Sequence, residues 1–292
     1  MAEMIKNDVE IMLDNVGMVY TASDGRDVQA LTSVSMDIHI IIWELCALNV
    51  EHTKRTPENV LPHISGIADS IFSTKKINGS QTALQMVMEN AGATLSRAGI
   101  GYLIGILAGF VLALFMSLSG IVEKIAFPYL MLIQLIPILG MAPIINAITG
   151  DIAVSRIVIA AILTFYPVAT NTLAGFKSVQ REKHELMYSY GANKFQLYTK
   201  TMIPACIPYF FTGLKISAPM AITASILVDT LQGGIGLGCL LSQSLKGAMT
   251  RYVFWDIVLF SAVIGILSFY IMGVIEMLLC PYKRTGKMKK KG

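Results

Sequence analysis

Side chains able to do chemistry are few in this chain and far apart. Cys46, Cys206, Cys239 and Cys280 share no paired spacing, so neither a disulfide framework nor a zinc site is suggested. The four histidines are equally dispersed. The glycine-rich run "GGIGLG" at 233–238 mimics a loop that cradles phosphates. It follows a long apolar stretch and not a strand, which is the wrong setting for a nucleotide. No row of carboxylates or histidines runs through the apolar stretches, which argues against a proton relay. What remains is "ELMYSYGANKFQLYTKTMIPACIP" at 185–208, polar, punctuated by a glycine and two prolines, with long apolar runs on both sides. Its chemistry is that of a contact surface.

The elements that must position this stretch are membrane helices. Of the 292 residues 54% are hydrophobic and only 14% charged, against about 25% charged in soluble domains. Several apolar runs reach the ~20 residues that cross a bilayer. They are continuous and do not alternate, which argues against a barrel. The sequence predicts an all-α, polytopic transmembrane bundle with five spans, roughly 98–120, 125–145, 157–176, 208–228 and 253–279. Gly101, Gly105 and Gly109 make one smooth face on the first of these, suited to close helix packing within the subunit or, less favoured, to a subunit interface. Pro128, Pro137, Pro143, Pro167 and Pro219 permit kinks.

Charge placement sets the orientation. The 177–207 loop carries Lys177, Arg181, Lys183, Lys194 and Lys200, and the last ten residues carry six of the 23 basic residues. The positive-inside rule puts both in the cytoplasm, and the two spans between them agree in parity. The basic tail, 281–292, thus reads as a cytoplasmic flank and not as a nucleic-acid site. Lys215 lies near the cytoplasmic end of its span, from where its ammonium can snorkel to water. Glu276 is also near a cytoplasmic end, and Asp229 sits at the outer mouth. Gln134, Asn171, Thr172 and Ser225 are polar groups in spans and candidates for a translocation path, although polar helix contacts are the commoner use of such residues.

Within the loop, "REKHELMYSY" predicts a helix that Gly191 stops. Asn193 is placed to cap a second short helix from Lys194 to about Met202, ended by Pro204, with Pro208 opening the next span. Phe195, Leu197, Tyr198 and Met202 would form its sticky face. Two short helices at an angle suit a docking element equally as well as an amphipathic segment resting on lipid headgroups.

The stretch resembles the signature loop of ABC importer permeases, in which Glu-Ala-Ala is followed by three residues, Gly, nine residues, an aliphatic, one residue and Leu-Pro. Glu185, Gly191, Ala192 and Pro204 fall in register. Leu186 and Met187 replace the two alanines, Thr201 the aliphatic and Ile203 the leucine. The likeness extends to "TLSRAGIGYLIGILAG" (94–109), "FYPVATNTLAG" (165–175) and "GLKISAPMAITASILVDTLQGGIGLG" (213–238), covering about residues 43–280. They look like permeases that import sulfonates, taurine, nitrate or thiamine precursors. The resemblance implies a type I importer fold and a homodimer in a bacterial inner membrane with a cytoplasmic C-terminus. It also implies separate ABC ATPase subunits, an extracytoplasmic solute-binding protein, and ATP bound by those partners with no cofactor in this chain. Glu185, Gly191, Ala192 and Pro204 would couple to the ATPase, Glu185 by pairing with a basic residue or capping a helix and Gly191 by allowing the bend. The alternatives are an ATPase-independent transporter or channel and a non-functional remnant.

The N-terminus departs from that pattern. Similar permeases have a sixth, preceding span, and no secretory signal is legible in "MAEMIKNDVE". The candidate first span, 34–50, has a 13-residue apolar part, Ile38 to Val50, interrupted by His39 and Glu44. Its "WEL" at 43–45 and Leu61-Pro62 resemble the end of a first span and the segment after it. Residues 11–38 resemble the opening strands of an ABC ATPase, with Val19 and Tyr20 at the place of an adenine-stacking aromatic. The phosphate-binding Gly-x-x-x-x-Gly-Lys-Ser/Thr that should follow is absent. The expectation is a hybrid chain without ATPase activity. Residues 1–38 would be an ATPase-like fragment, 39–97 a damaged first span and linker, and 98–280 the permease domain.

Overall fold

The computed structural model describes residues 11–14, 17–21, 27–29, 34–54, 60–73, 76–77, 81–245 and 251–280. The chain divides into two compact units, Met1–Phe72 and Ser73–Gly292.

The first unit opens with three short antiparallel strands, β1 (Ile11–Asp14), β2 (Gly17–Thr21) and β3 (Asp27–Gln29), in the order β1-β2-β3. Tyr20 pairs with Ile11 on one side and Val28 on the other. Helix α1 (Val34–Thr53) follows, then α2 (Ile64–Phe72). At 20 residues α1 is longer than the 13-residue apolar part of the sequence. It reaches ~30 Å, yet it is not among the helices apolar enough to cross a membrane. Its Glu44 accepts from the Ile64 backbone N–H at 2.9 Å, which satisfies one orphan donor at the start of α2. The other Glu44 oxygen meets His63 Nδ1 at 2.6 Å, and Trp43 Nε1 donates to the Pro62 carbonyl. The hydrogen bond to His63, and then that from Ile64, hold the Glu44 carboxyl below its ordinary pKa. The same bond to Glu44 raises His63 above its own.

The second unit is helical. Its elements are α3 (Ala83–Leu118), α4 (Gly120–Leu135), α5 (Ile138–Thr149), α6 (Ile152–Lys177), α7 (Arg181–Ser189), α8 (Lys194–Leu197), a π turn (Tyr198–Met202), α9 (Ile203–Gln232), α10 (Leu237–Leu245) and α11 (Arg251–Leu279). The expected five spans are four long helices plus one bent pair. The first span begins at Ala83, well before residue 98, because Thr82 and Gln85 form a reciprocal capping box. The expected span 125–145 is not one helix. It breaks between α4 and α5, whose axes meet at 111°. Ile136, which precedes Pro137, is held in extended backbone as proline requires of its predecessor.

Helices α3, α6 and α9 form the centre of this unit, and the glycine stripe explains their closeness. A Cβ at Gly101 would lie 2.6 Å from Ala160 Cβ, one at Gly105 2.6 Å from Thr164 Cβ, and one at Gly109 3.1 Å from Val168 Cβ. The stripe therefore serves packing inside the subunit. The opposite face of α3 shows Leu103, Leu107 and Phe115, all more than half exposed, as suits a helix side turned to lipid. Lys215 does not snorkel: its ammonium pairs with the buried carboxylate of Glu276 on α11. The side chain that Gly273 lacks leaves room for the lysine stem, whose Cε lies 3.7 Å from where a Cβ would stand.

Candidate functional site

The 181–202 loop is a built corner. Helix α7 ends in two reversed hydrogen bonds, Gly191 N–H to Tyr188 O at 2.9 Å and Ala192 N–H to Met187 O at 3.0 Å. This is the Schellman arrangement, and it needs a left-handed residue where Gly191 stands with φ +69°. Asn193 then caps α8 by a reciprocal box with Gln196. The backbone N–H groups of residues 190–193 are thus all assigned, which fixes the angle between the two helices.

Pro204 does not end the second helix. The π turn carries α8 straight into α9, with the Ile203 N–H bonded to the Tyr198 carbonyl five residues back. The wider ring lets the ladder pass a residue that has no donor and whose ring would crowd the carbonyl four back. The expected sticky face also divides. Leu197 and Met202 are buried among Ala113, Met116, Phe176 and Cys206. Tyr198 donates to Ser117 O at 2.9 Å. Phe195 remains 76% exposed, and with Leu186, Tyr188 and Tyr190 it gives the loop four outward apolar side chains. Glu185 is exposed beside them and ion-paired to Arg181 at 2.8 Å, and Pro204 is exposed.

The candidate path residues do not converge. Gln134 is exposed on α4. Asn171 donates to the Pro167 carbonyl of its own helix at 2.8 Å. Thr172 is fully buried beside it. Asn171 lies against Gly213 of α9, whereas Ser225 stands 12 residues further along that helix, or ~18 Å. There Ser225 Oγ faces the Thr94 carbonyl at 3.4 Å.

One turn beyond Ser225, Asp229, which the sequence places at the outer mouth, is the centre of an ion cluster that the sequence does not announce. Asp229, fully buried, accepts from Thr94 Oγ1 at 2.6 Å and from Arg97 Nη2 at 3.1 Å. Arg156 of α6 brings its Nε to 2.9 Å from the same carboxylate, an ion pair whose N–H does not complete a hydrogen bond. The glycine segment folds over this charge. Arg97 donates to Ile235 O, Arg156 to Gly233 O, Gly236 N–H to Asn90 Oδ1 and Leu237 N–H to Thr94 Oγ1. A Cβ at Gly236 would come 2.7 Å from Arg97 Nη2, and one at Gly238 2.7 Å from Asp229 Cβ. The glycines of "GGIGLG" therefore allow backbone to close on an ion cluster and then enter α10. The available signal was a lone arginine at the end of each of two apolar runs, with Asp229 at the end of a third.

Residues 101–279, more than half of the chain, match the family model described as binding-protein-dependent transport system inner membrane component. The chain is 29% identical over 247 residues to a formylaminopyrimidine transport permease of Halalkalibacterium halodurans, covering 84% of this chain and 92% of that protein. It is 24% identical over 250 residues to a nitrate import permease of Leptolyngbya laminosa, covering 86% and 87%. Among solved structures, an amino acid ABC transporter crystallised with histidines superposes with a TM-score of 0.57 at 19% identity, over 66% of this chain and 94% of that one. The inward-facing methionine ABC transporter MetNI gives 0.52 at 17%, over 67% and 95%.

Proposed function

The chain belongs to the family of binding-protein-dependent transport system inner membrane components, the ABC importer permeases, and from that premise we propose that it passes a small solute inward under the drive of separate ATPase subunits. It is a multi-pass membrane protein. Two copies line the pathway, an extracytoplasmic binding protein delivers the solute, and one ATPase seats on the 181–202 loop of each copy. ATP is bound by those partners and not by this chain, which does no covalent chemistry. The loop and the C-terminus face the cytoplasm, as their basic residues favour. Closure of the ATPases pushes the loops together, and α8, continuous with α9, carries the movement into the bundle.

The observation that carries this reading is the loop itself: a bend fixed by backbone hydrogen bonds that presents Leu186, Tyr188, Tyr190 and Phe195 to the outside. A mere connector needs neither that rigidity nor four exposed large apolar groups. Coexpression with the transporter's ATPase tests it. The ATPase should copurify with the wild-type chain and be lost with Tyr190→Glu/Phe195→Glu and with Gly191→Pro. Undiminished copurification with both variants, or solute uptake that persists without the ATPase, would overturn the proposal.

A further inference from the structure

Helix α11 packs on the rest of its unit at two places. Near its start, Val253 and Ile257 join Met86, Val87 and Leu240 in one buried cluster. Near its end, Ile275 and Cys280 join Val168, Phe211 and Leu214 in another. Between the two lies a furrow of about 170 Å³. Its walls are α3 from Leu95 to Tyr102 and α11 from Ser268 to Met272. Ala218, Ala221 and Ile222 of α9 form the floor, each at most 8% exposed. Small side chains leave the space open: a Cβ at Gly99 would meet nothing within 4 Å. The two polar side chains on the walls are already bonded. Tyr102 donates its hydroxyl to the Leu214 carbonyl at 2.9 Å, and Ser268 to the Gly265 carbonyl at 2.7 Å. The furrow therefore offers a polar ligand nothing to bind.

We propose that this furrow binds one acyl chain of a bilayer phospholipid, held between α3 and α11 as part of the packed structure. Depth, continuity and width name that occupant. Ion pairs bracket the furrow on α9: Lys215, paired with Glu276, stands three residues before Ala218, and Asp229 stands seven residues after Ile222. The furrow thus lies inside the apolar, membrane-spanning stretch, where there is no water to fill it. It also runs into the lipid-facing surface, since Ile100 and Leu103 on α3 and Leu267 and Ile271 on α11 are about half exposed or more. Spread over the ~10 Å from Leu95 to Tyr102, its volume gives a cross-section of about 17 Å². A helix ~10 Å across needs about 80 Å², so a helix of a second copy does not enter without parting the walls. A single file of carbon atoms, which pack ~3.5–4 Å apart, does enter. Lipid tails are as apolar as leucine, and one laid here gives the walls the partner atoms that close packing requires.

The test uses the full chain in nanodiscs of phosphatidylcholine that carries a diazirine midway along one acyl chain. After illumination, mass spectrometry maps the labelled residues. Ala218, Ala221 or Ile222 should be labelled, together with the exposed residues of α3 and α11. The floor is covered by protein on its other sides, so only a chain inside the furrow reaches it. Ala224 and Val228, fully buried further along α9, should stay unlabelled. Gly99→Leu places a side chain where the acyl chain lies. It should abolish labelling of the floor and leave that of Leu103 and Leu107 as before. The same diazirine on the choline headgroup should label no floor residue. A lipid layer that only surrounds the protein would label Leu103 and Leu107 and spare the floor, which would overturn the proposal. Floor labelling that survives Gly99→Leu would overturn it too. So would labelling that occurs with one copy per nanodisc and vanishes with two, which would assign the furrow to a second copy. Should Gly99→Leu not fold, the contrast between 218–222 and Ala224 in the wild type still decides. The proposal rests on membrane placement alone. Its failure leaves ATPase docking on the loop untouched, and a failure of docking leaves this measurement untouched.

Discussion

The Tyr198 hydroxyl donates to the carbonyl of Ser117, 81 residues earlier in the chain, at 2.9 Å. That bond ties the base of the loop to the last turn of α3, where the helix has run out of intrahelical partners for its carbonyls. Tyr198→Phe keeps the ring in place and removes the tie. The expected loss is about 1 kcal/mol, read as a lower unfolding midpoint in detergent together with faster proteolysis within 181–202. Unchanged protection of the loop would show that the tie does not hold it.

Gly105→Leu should destabilise the second unit by about 1–3 kcal/mol or prevent its folding, because the added atoms meet the α6 backbone and Thr164. Gly99, on the same helix, has open space around it. Gly99→Ala should be neutral or stabilising by up to about 1 kcal/mol. Thermal unfolding of the two variants side by side checks the contrast.

Lys215→Met and Glu276→Leu should each cost about 3–5 kcal/mol, since each removes one partner of an ion pair inside the bundle. The double variant should recover most of the loss or exceed the wild type. A double-mutant cycle measures the coupling, and strict additivity would mean that the two side chains do not depend on each other.

Gly191→Ala should cost about 1–2 kcal/mol through its positive φ alone, since a methyl group there meets nothing within 4 Å. Asn193→Ala removes the neighbouring cap and should cost about 1 kcal/mol. Hydrogen exchange should show faster exchange confined to α7 and α8, with α3 and α6 unaffected.

The Glu44–His63 clasp sets a pH window for the first unit. His63 is raised, so its contribution is complete below ~6.5 and is lost as pH rises through the higher folded value. Glu44 is lowered, so its contribution is complete above the ordinary carboxylate value and is lost as pH falls through the folded one. Histidine-selective NMR should place the His63 titration above ~6.5, and Glu44→Gln should bring it back toward that value.

Much of this was legible in the sequence because it rests on local rules. Gly191 and Asn193 follow from what helix ends require, and the lipid-facing runs follow from composition. What escaped depends on neighbours far along the chain. A lysine in a span reads as one that snorkels until Glu276, 61 residues away, is seen beside it. Pro204 reads as a stop because the sequence does not announce a π turn. Arg97, Arg156 and Asp229 are three single charges on three helices, and only packing makes them one cluster. Ser225 is legible by its polarity and Asp229 by its place at the outer mouth, but the gathering of Thr94, Arg97 and Arg156 on that aspartate is not.

The π turn at 198–202 has a geometric consequence of its own. Such a turn is a helix carrying one residue too many, and one residue is about 100° of rotation. The loop's outward face is therefore set like a clock hand relative to the bundle, by an offset stored in five residues. Removing one of them would turn Phe195 and the α7 corner through about a quarter of a circle about the α9 axis while the membrane-embedded part stayed as it is. Single-residue insertions and deletions at this point act as angular adjustments, so a lineage can re-aim the outward face of this loop without rebuilding the bundle.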